Sequence, residues 1–146
     1  MNTAYIDVDG RWGVVLCYDL MRMDEWGMRR SMMSFGMRGS HIDDAVDVLL
    51  GGENTGMCVS ADDIKMSLVF IGDATSDDQW WDTVSHELYH AATAICGYYG
   101  VRPGSEGFAW TMGYLMRKAV QLFGMCEEAG DVPASLSPTP PYRGFR

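Results

Sequence analysis

Apolar and polar positions along the chain sort into eight segments of two kinds. Tyr5 to Val8 and Trp12 to Tyr18 are short runs rich in β-branched, aromatic and aliphatic residues. They flank Asp9-Gly10, and that dipeptide between two such runs predicts a hairpin. A helix is expected from about Asp24 to Phe35, closed by Gly36, and another after a cap at Ser40, with Ile42, Val46, Leu49 and Leu50 on one side and Gly51-Gly52 as its stop. Met57 to Ser60 and Ile64 to Ile71 read as two more strands around a turn at Ala61-Asp62-Asp63. Ser76 followed by Gln79 is a capping-box signature. Behind it Trp81, Val84, Leu88, Ala91 and Ile95 recur at helical spacing as far as Gly97. Pro103-Gly104 breaks the chain and Ser105 can cap a last helix to Gly124, with Phe108, Met112, Leu115, Met116, Ala119 and Phe123 as its core stripe. The pattern is α+β, with one domain over 1–130 and a Pro-rich tail over 131–146 that ends in Arg143 and Arg146.

The penultimate helix carries His86-Glu87-Leu88-Tyr89-His90, an H-E-x-x-H motif. At ~100° per residue both histidines fall opposite the apolar stripe and share one face, so they can grip a single Zn²⁺. The glutamate between them can take a proton from a water that the metal activates. A bland alternative for the pair is two solvated imidazoles.

Zinc in a catalytic site needs a third protein ligand and an open position. Glu106, sixteen residues after His90 and in the first turn of the last helix, is the foremost candidate. Ala109 and Gly113 share its side, and such a small-residue strip would let the last helix lie close against the motif helix and bring the carboxylate to the metal. The alternative role for Glu106 is to complement the helix dipole. Glu127 and Glu128 are further carboxylates to consider, and Asp82, one turn before His86, is a candidate to orient that histidine. Tyr98, Tyr99, Arg102 and Tyr114 are candidate donors to a developing oxyanion.

His86-Glu87-x-x-His90 followed by Glu106-Gly107-Phe108-Ala109 resembles the gluzincin pattern, in which H-E-x-x-H precedes E-x-x-A or E-x-x-D on a later helix. The compact layout over about residues 64 to 124 is similar to short phage and prophage metallopeptidases and to the ImmA/IrrE-type peptidases. The resemblance implies a minimal zincin-like fold: a small, mostly antiparallel sheet packed on the motif helix and on a second helix carrying the third ligand. It implies one Zn²⁺ per chain held by His86, His90 and Glu106, with Glu87 as general base in peptide hydrolysis. It also implies an edge strand near the metal that pairs with an extended substrate; the strand over 66 to 71, or a neighbour, is the expected edge. The chain departs from some gluzincins at Trp110, where they place an Asp, and in its short gap between motif and third ligand.

Composition narrows the partners. A net charge of −9 disfavours nucleic acid and anionic membranes and leaves a peptide or protein substrate, including a basic one. Cys17, Cys58, Cys96 and Cys126 show no C-x-x-C spacing, and neither a signal-like start nor a membrane-length apolar run occurs, which points to a reducing cytoplasm. Six methionines between Met21 and Met37 suit either core filling or an adaptable binding surface. The competing class is a non-catalytic protein, a phage-type assembly or regulatory module in which zinc is structural.

Overall fold

The computed structural model describes residues 1–124. The Pro-rich segment 131–146, together with Cys126, Glu127 and Glu128, lies outside the described residues. Four strands, β1 (Asn2–Val8), β2 (Trp12–Tyr18), β3 (Gly56–Ala61) and β4 (Met66–Ile71), form one mixed sheet in the order β1-β2-β4-β3. β1 runs antiparallel to β2 and β3 antiparallel to β4, while the central pair β2 and β4 is parallel. The helices are α1 (Glu25–Ser34), α2 (Ser40–Gly51), α3 (Asp77–Tyr98) and α4 (Glu106–Phe123). The fold is α+β, and the parallel central pair qualifies the expectation of a mostly antiparallel sheet.

Alternation along the central strands sorts the core into two layers. Trp12, Val14, Leu16, Val69 and Ile71 face α3 and α4, where Val84, Leu88, Ala91, Ile95, Leu115 and Ala119 meet them. Cys17, Leu68 and Phe70 face the other way, onto Met28, Met32, Ile42, Val46 and Leu49 of α1 and α2. The methionine run is therefore divided: Met28 and Met32 are fully buried, whereas Met21, Met23 and Met33 are exposed. Ser67, a polar residue within buried β4, accepts from Trp12 Nε1 at 3.0 Å and shares a hydrogen bond of 2.7 Å with Ser60.

Several boundaries move from their expected places for local reasons. The Asp9-Gly10 hairpin forms with φ of 59° and 65° at those residues, and the Arg11 N–H donates to the Val8 carbonyl. Register closes on Val8 and Trp12, so the connection is one residue longer than a two-residue loop. Ile64 lies in the β3–β4 turn instead of in a strand, because Lys65 at φ 53° delays the start of β4 to Met66. Ser40 is the first residue of α2, not its cap; that position is Gly39, at φ 60°. Gly97 remains helical, and the chain turns at Gly100, at φ 70°.

Candidate metal centre

α3 begins as its sequence demands. The Ser76 side chain accepts from the Gln79 N–H at 3.3 Å, and Asp77 and Asp78 in the first turn complement the dipole. Val84, Leu88, Ala91, Ala92 and Ile95 are buried along one face, which orients the rest of the helix. His86 and His90 are exposed on the opposite side, one turn apart. Their Nε2 atoms approach to 3.1 Å, with the rings nearly perpendicular at 72°. A tetrahedral zinc with Zn–N bonds of ~2.0–2.1 Å separates two ligating nitrogens by about 3.3 Å. The contact is a hydrogen bond between the two imidazoles, and its span is close to the separation that a single zinc ion would set.

Glu87 points to a different place. One residue on from His86, its side chain turns into the seam between α3 and β3 and is only 6% exposed. Gly56 makes that possible: a Cβ there would stand 2.6 Å from Glu87 Cγ, 2.8 Å from Glu87 Oε1 and 2.8 Å from Thr83 Cγ2. No described residue donates a hydrogen bond to the carboxylate, and its oxygens keep contact with the cleft above. Burial pushes the Glu87 carboxyl above its ordinary range, and the neighbouring His86 and His90 pull it part of the way back. Cys58, two residues along β3 from Gly56, has its thiol pushed up to about 12 by burial, with the Glu87 charge adding to the shift and a hydrogen bond with Ser60 opposing it.

His86, Glu87 and Thr83 line one wall of a cleft of about 680 Å³, and Asn54, Thr55 and Gly56 line another. That second wall is clamped to the segment before α3. Asn54, held at φ 55°, accepts from the Thr75 N–H at 3.0 Å and donates to Thr75 Oγ1 at 3.2 Å, while its own N–H donates to the Asp73 carbonyl. Asp82 lies on the rim beside His86, exposed to solvent.

The other expected residues divide. Glu106 opens α4 directly after Ser105, which caps the helix through the Phe108 N–H at 3.3 Å. The Tyr89 ring touches both the His90 ring, at 6.1 Å, and the Phe108 ring in the first turn of α4, at 5.4 Å. Glu106 is exposed, and among the described residues no three His, Cys, Asp or Glu side chains converge on one point. The expected close packing through Ala109 and Gly113 is corrected: both are exposed, and a Cβ at Gly113 would meet nothing within 4 Å. Phe108, Thr111, Leu115 and Ala119 face α3 instead, with the Cys96 thiol donating to Thr111 Oγ1 at 3.5 Å.

Tyr98 and Tyr99 lie eight and nine residues past His90, about 12 Å or more along the helix axis. Tyr98 packs on Trp12, and the Tyr99 hydroxyl donates to the Arg11 carbonyl at 3.0 Å. The Tyr114 hydroxyl donates to the Asp7 carbonyl at 2.7 Å. All three serve the β1–β2 hairpin, and Arg102 is exposed in the α3–α4 connection. Gly56 and Cys58, which sequence reasoning did not single out, are the strand residues nearest the motif glutamate. Asn54-Thr55-Gly56 reads only as turn chemistry until α3 is docked against it.

Comparison with protein-family models, with curated proteins and with solved structures finds no match to this chain.

Proposed function

We propose that this chain is a zinc-dependent peptidase in which His86 and His90 hold the metal, Glu106 completes the ligand set from the first turn of α4, and Glu87 is the general base. The carrying observation is the 3.1 Å approach of the two Nε2 atoms beside a carboxylate held in a nearly closed seam. A bound zinc supplies a Lewis acid that polarises a carbonyl and makes water nucleophilic near neutral pH. Glu87 contributes the proton transfers: a carboxylate oxygen accepts the proton of the attacking water and returns it to the nitrogen of the departing amine. Burial suits it to the first step, because a carboxyl raised above its ordinary range accepts a proton more readily than a solvated one.

β3 supports a peptide as substrate. Among the described residues it pairs with β4 on one side only and is the sheet edge that passes Glu87, so an extended segment laid along it brings its backbone to the base. Asp62 and Asp63 follow β3, and Asp82 stands on the cleft rim, a setting that favours a basic segment.

The test is zinc content by plasma mass spectrometry on protein purified without metal-affinity steps, with turnover of a peptide library measured in parallel. About one zinc per chain is expected in the wild type and less in Glu106→Ala. Glu87→Gln is expected to keep its zinc and lose turnover by about 10²–10⁴-fold. Equal zinc in wild type and Glu106→Ala removes Glu106 from the ligand set. Unchanged turnover in Glu87→Gln removes the base, and absence of zinc after reconstitution removes the whole reading.

A further inference from the structure

A second groove, of about 390 Å³, lies at the other end of the α3–α4 pair. Four aromatic rings build it: Tyr18 from β2, Trp80 and Trp81 from the start of α3, and Phe123 from the end of α4. Phe123 is the hub, with centroids 4.6 Å from Trp80, 5.0 Å from Tyr18 and 6.3 Å from Trp81, all near edge-to-face. These rings are only partly buried, and two exposed carboxylates, Asp19 and Asp77, stand in the same lining. The proposed zinc site uses none of these residues.

Rings set edge to face beside carboxylates suit a proline-rich strand followed by a cation. A polyproline II helix has three residues per turn, so prolines three apart share an edge and can slot between rings, at little cost in chain entropy. This chain carries such a segment in Pro138-Thr139-Pro140-Pro141-Tyr142-Arg143, with Pro138 and Pro141 at that spacing and Arg143 two residues on. Charge complements the groove: the segment has a cation and no carboxylate, against Asp19 and Asp77. Continuity helps too, because α4 delivers Phe123 into the groove and Gly124 ends the helix beside it. A coil as long as residues 125–137 would span about 20 Å on average, ample for a return to a groove at its own root.

We propose that residues 138–143 dock intramolecularly in the groove lined by Tyr18, Trp80, Trp81 and Phe123, with Arg143 facing Asp19 and Asp77. The proline edge fills the spaces between rings, and the guanidinium pairs with a carboxylate or stacks on an indole face. Tethering supplies an effective concentration in the millimolar range, so a weak contact suffices to keep the groove filled.

The experiment uses the full chain labelled with 5-fluorotryptophan. It resolves five indoles by fluorine NMR, with Trp80 and Trp81 assigned from Trp80→Phe and Trp81→Phe. In Pro138→Ala/Pro141→Ala and in Arg143→Glu, the Trp80 and Trp81 resonances are expected to move while those of Trp12, Trp26 and Trp110 stay. An unmoved signal from buried Trp12 also shows that the variant is folded. A synthetic peptide of residues 137–146 added to the double-proline variant is expected to return Trp80 and Trp81 to their original positions. The same peptide carrying Arg143→Glu should bind about twofold to fivefold more weakly, as befits an exposed ion pair. Trp80 and Trp81 resonances that ignore all these changes overturn the proposal. Shifts that vanish on dilution of the wild-type chain overturn its intramolecular form and assign the segment to a second copy.

Discussion

Two glycines of the sheet, Gly13 in internal strand β2 and Gly56 in edge strand β3, use the same device for different ends. On the β1 side, Gly13 leaves room for Tyr5, whose Oη and ring carbon Cε2 would stand 2.7 and 2.8 Å from a Cβ at that position. On the β3 side, Gly56 leaves room for Glu87 at similar distances. One missing side chain admits an exposed aromatic ring; the other admits a carboxylate into a seam where carboxylates are rare. The surroundings diverge accordingly. The β1–β2 hairpin is tied down by Tyr99 and Tyr114 through the carbonyls of Arg11 and Asp7. At β3 the nearby polar groups are Cys58, Thr83 and the two imidazoles, and no described residue donates a hydrogen bond to the glutamate. A glycine in this sheet is thus a packing device at Gly13, where its guest is a solvated ring, and at Gly56 it admits a carboxylate that no described residue bonds.

Substitutions can break this comparison, and the largest effect is expected at Gly56. Gly56→Ala forces Glu87 or Thr83 to move, and a displacement of about 1 Å at a reacting group costs on the order of 10²-fold in turnover. Peptide hydrolysis should fall to that extent while zinc content holds; full activity in Gly56→Ala would remove the strand from the site. Tyr114→Phe deletes the hydroxyl bonded to Asp7 and is expected to lower unfolding stability by about 0.5–1.5 kcal/mol, with zinc content and turnover intact. A loss of turnover in that variant would connect the hairpin edge to the chemistry. Gly13→Ala should cost less, about 0.5 kcal/mol, since Tyr5 is 54% exposed and free to swing outward. Denaturant unfolding reads both.

A further contrast concerns the thiols of Cys17 and Cys58. Burial raises Cys17 from an ordinary 9.0 to about 11 and Cys58 to about 12. A folded-state value above the unfolded one favours the protonated form in the native protein. The associated stability is therefore fully present below pH 9 and is lost as pH rises through 11 to 12. Replacing Cys58 by alanine should flatten part of the alkaline decline in unfolding temperature between pH 9 and 12. An identical decline in wild type and Cys58→Ala would show that the thiol is not sheltered beside Glu87.

The histidine pair was legible because its geometry is internal to one helix: residues four apart share a face whatever the helix packs against. The same holds for the Ser76 and Ser105 caps and for the apolar stripe that points His86 and His90 away from the core. Legibility ended where a neighbour had to be named. Met66 to Ile71 and Met57 to Ser60 are both plausible edge strands by composition, and only pairing with β2 on one side and β3 on the other makes β4 internal. Ala109 and Gly113 read as a contact strip because small residues permit close approach, yet permission is not attraction, and α4 turns its larger apolar residues to α3 instead.

By itself, then, the chain determined the α+β element pattern, the Ser76 and Ser105 caps, the buried face of α3 and the convergence of two imidazoles, all of which follow from spacing within a single element. Tertiary structure decided that β3 is the edge beside the motif, that Gly56 is the position that admits Glu87, and that the tyrosines after His90 serve the hairpin. It also left Glu106 exposed at the start of α4. The physical reason is that periodicity encodes which way a side chain faces, while the atom it meets there is set by the docking of elements far apart in the chain, through burial that no local pattern records.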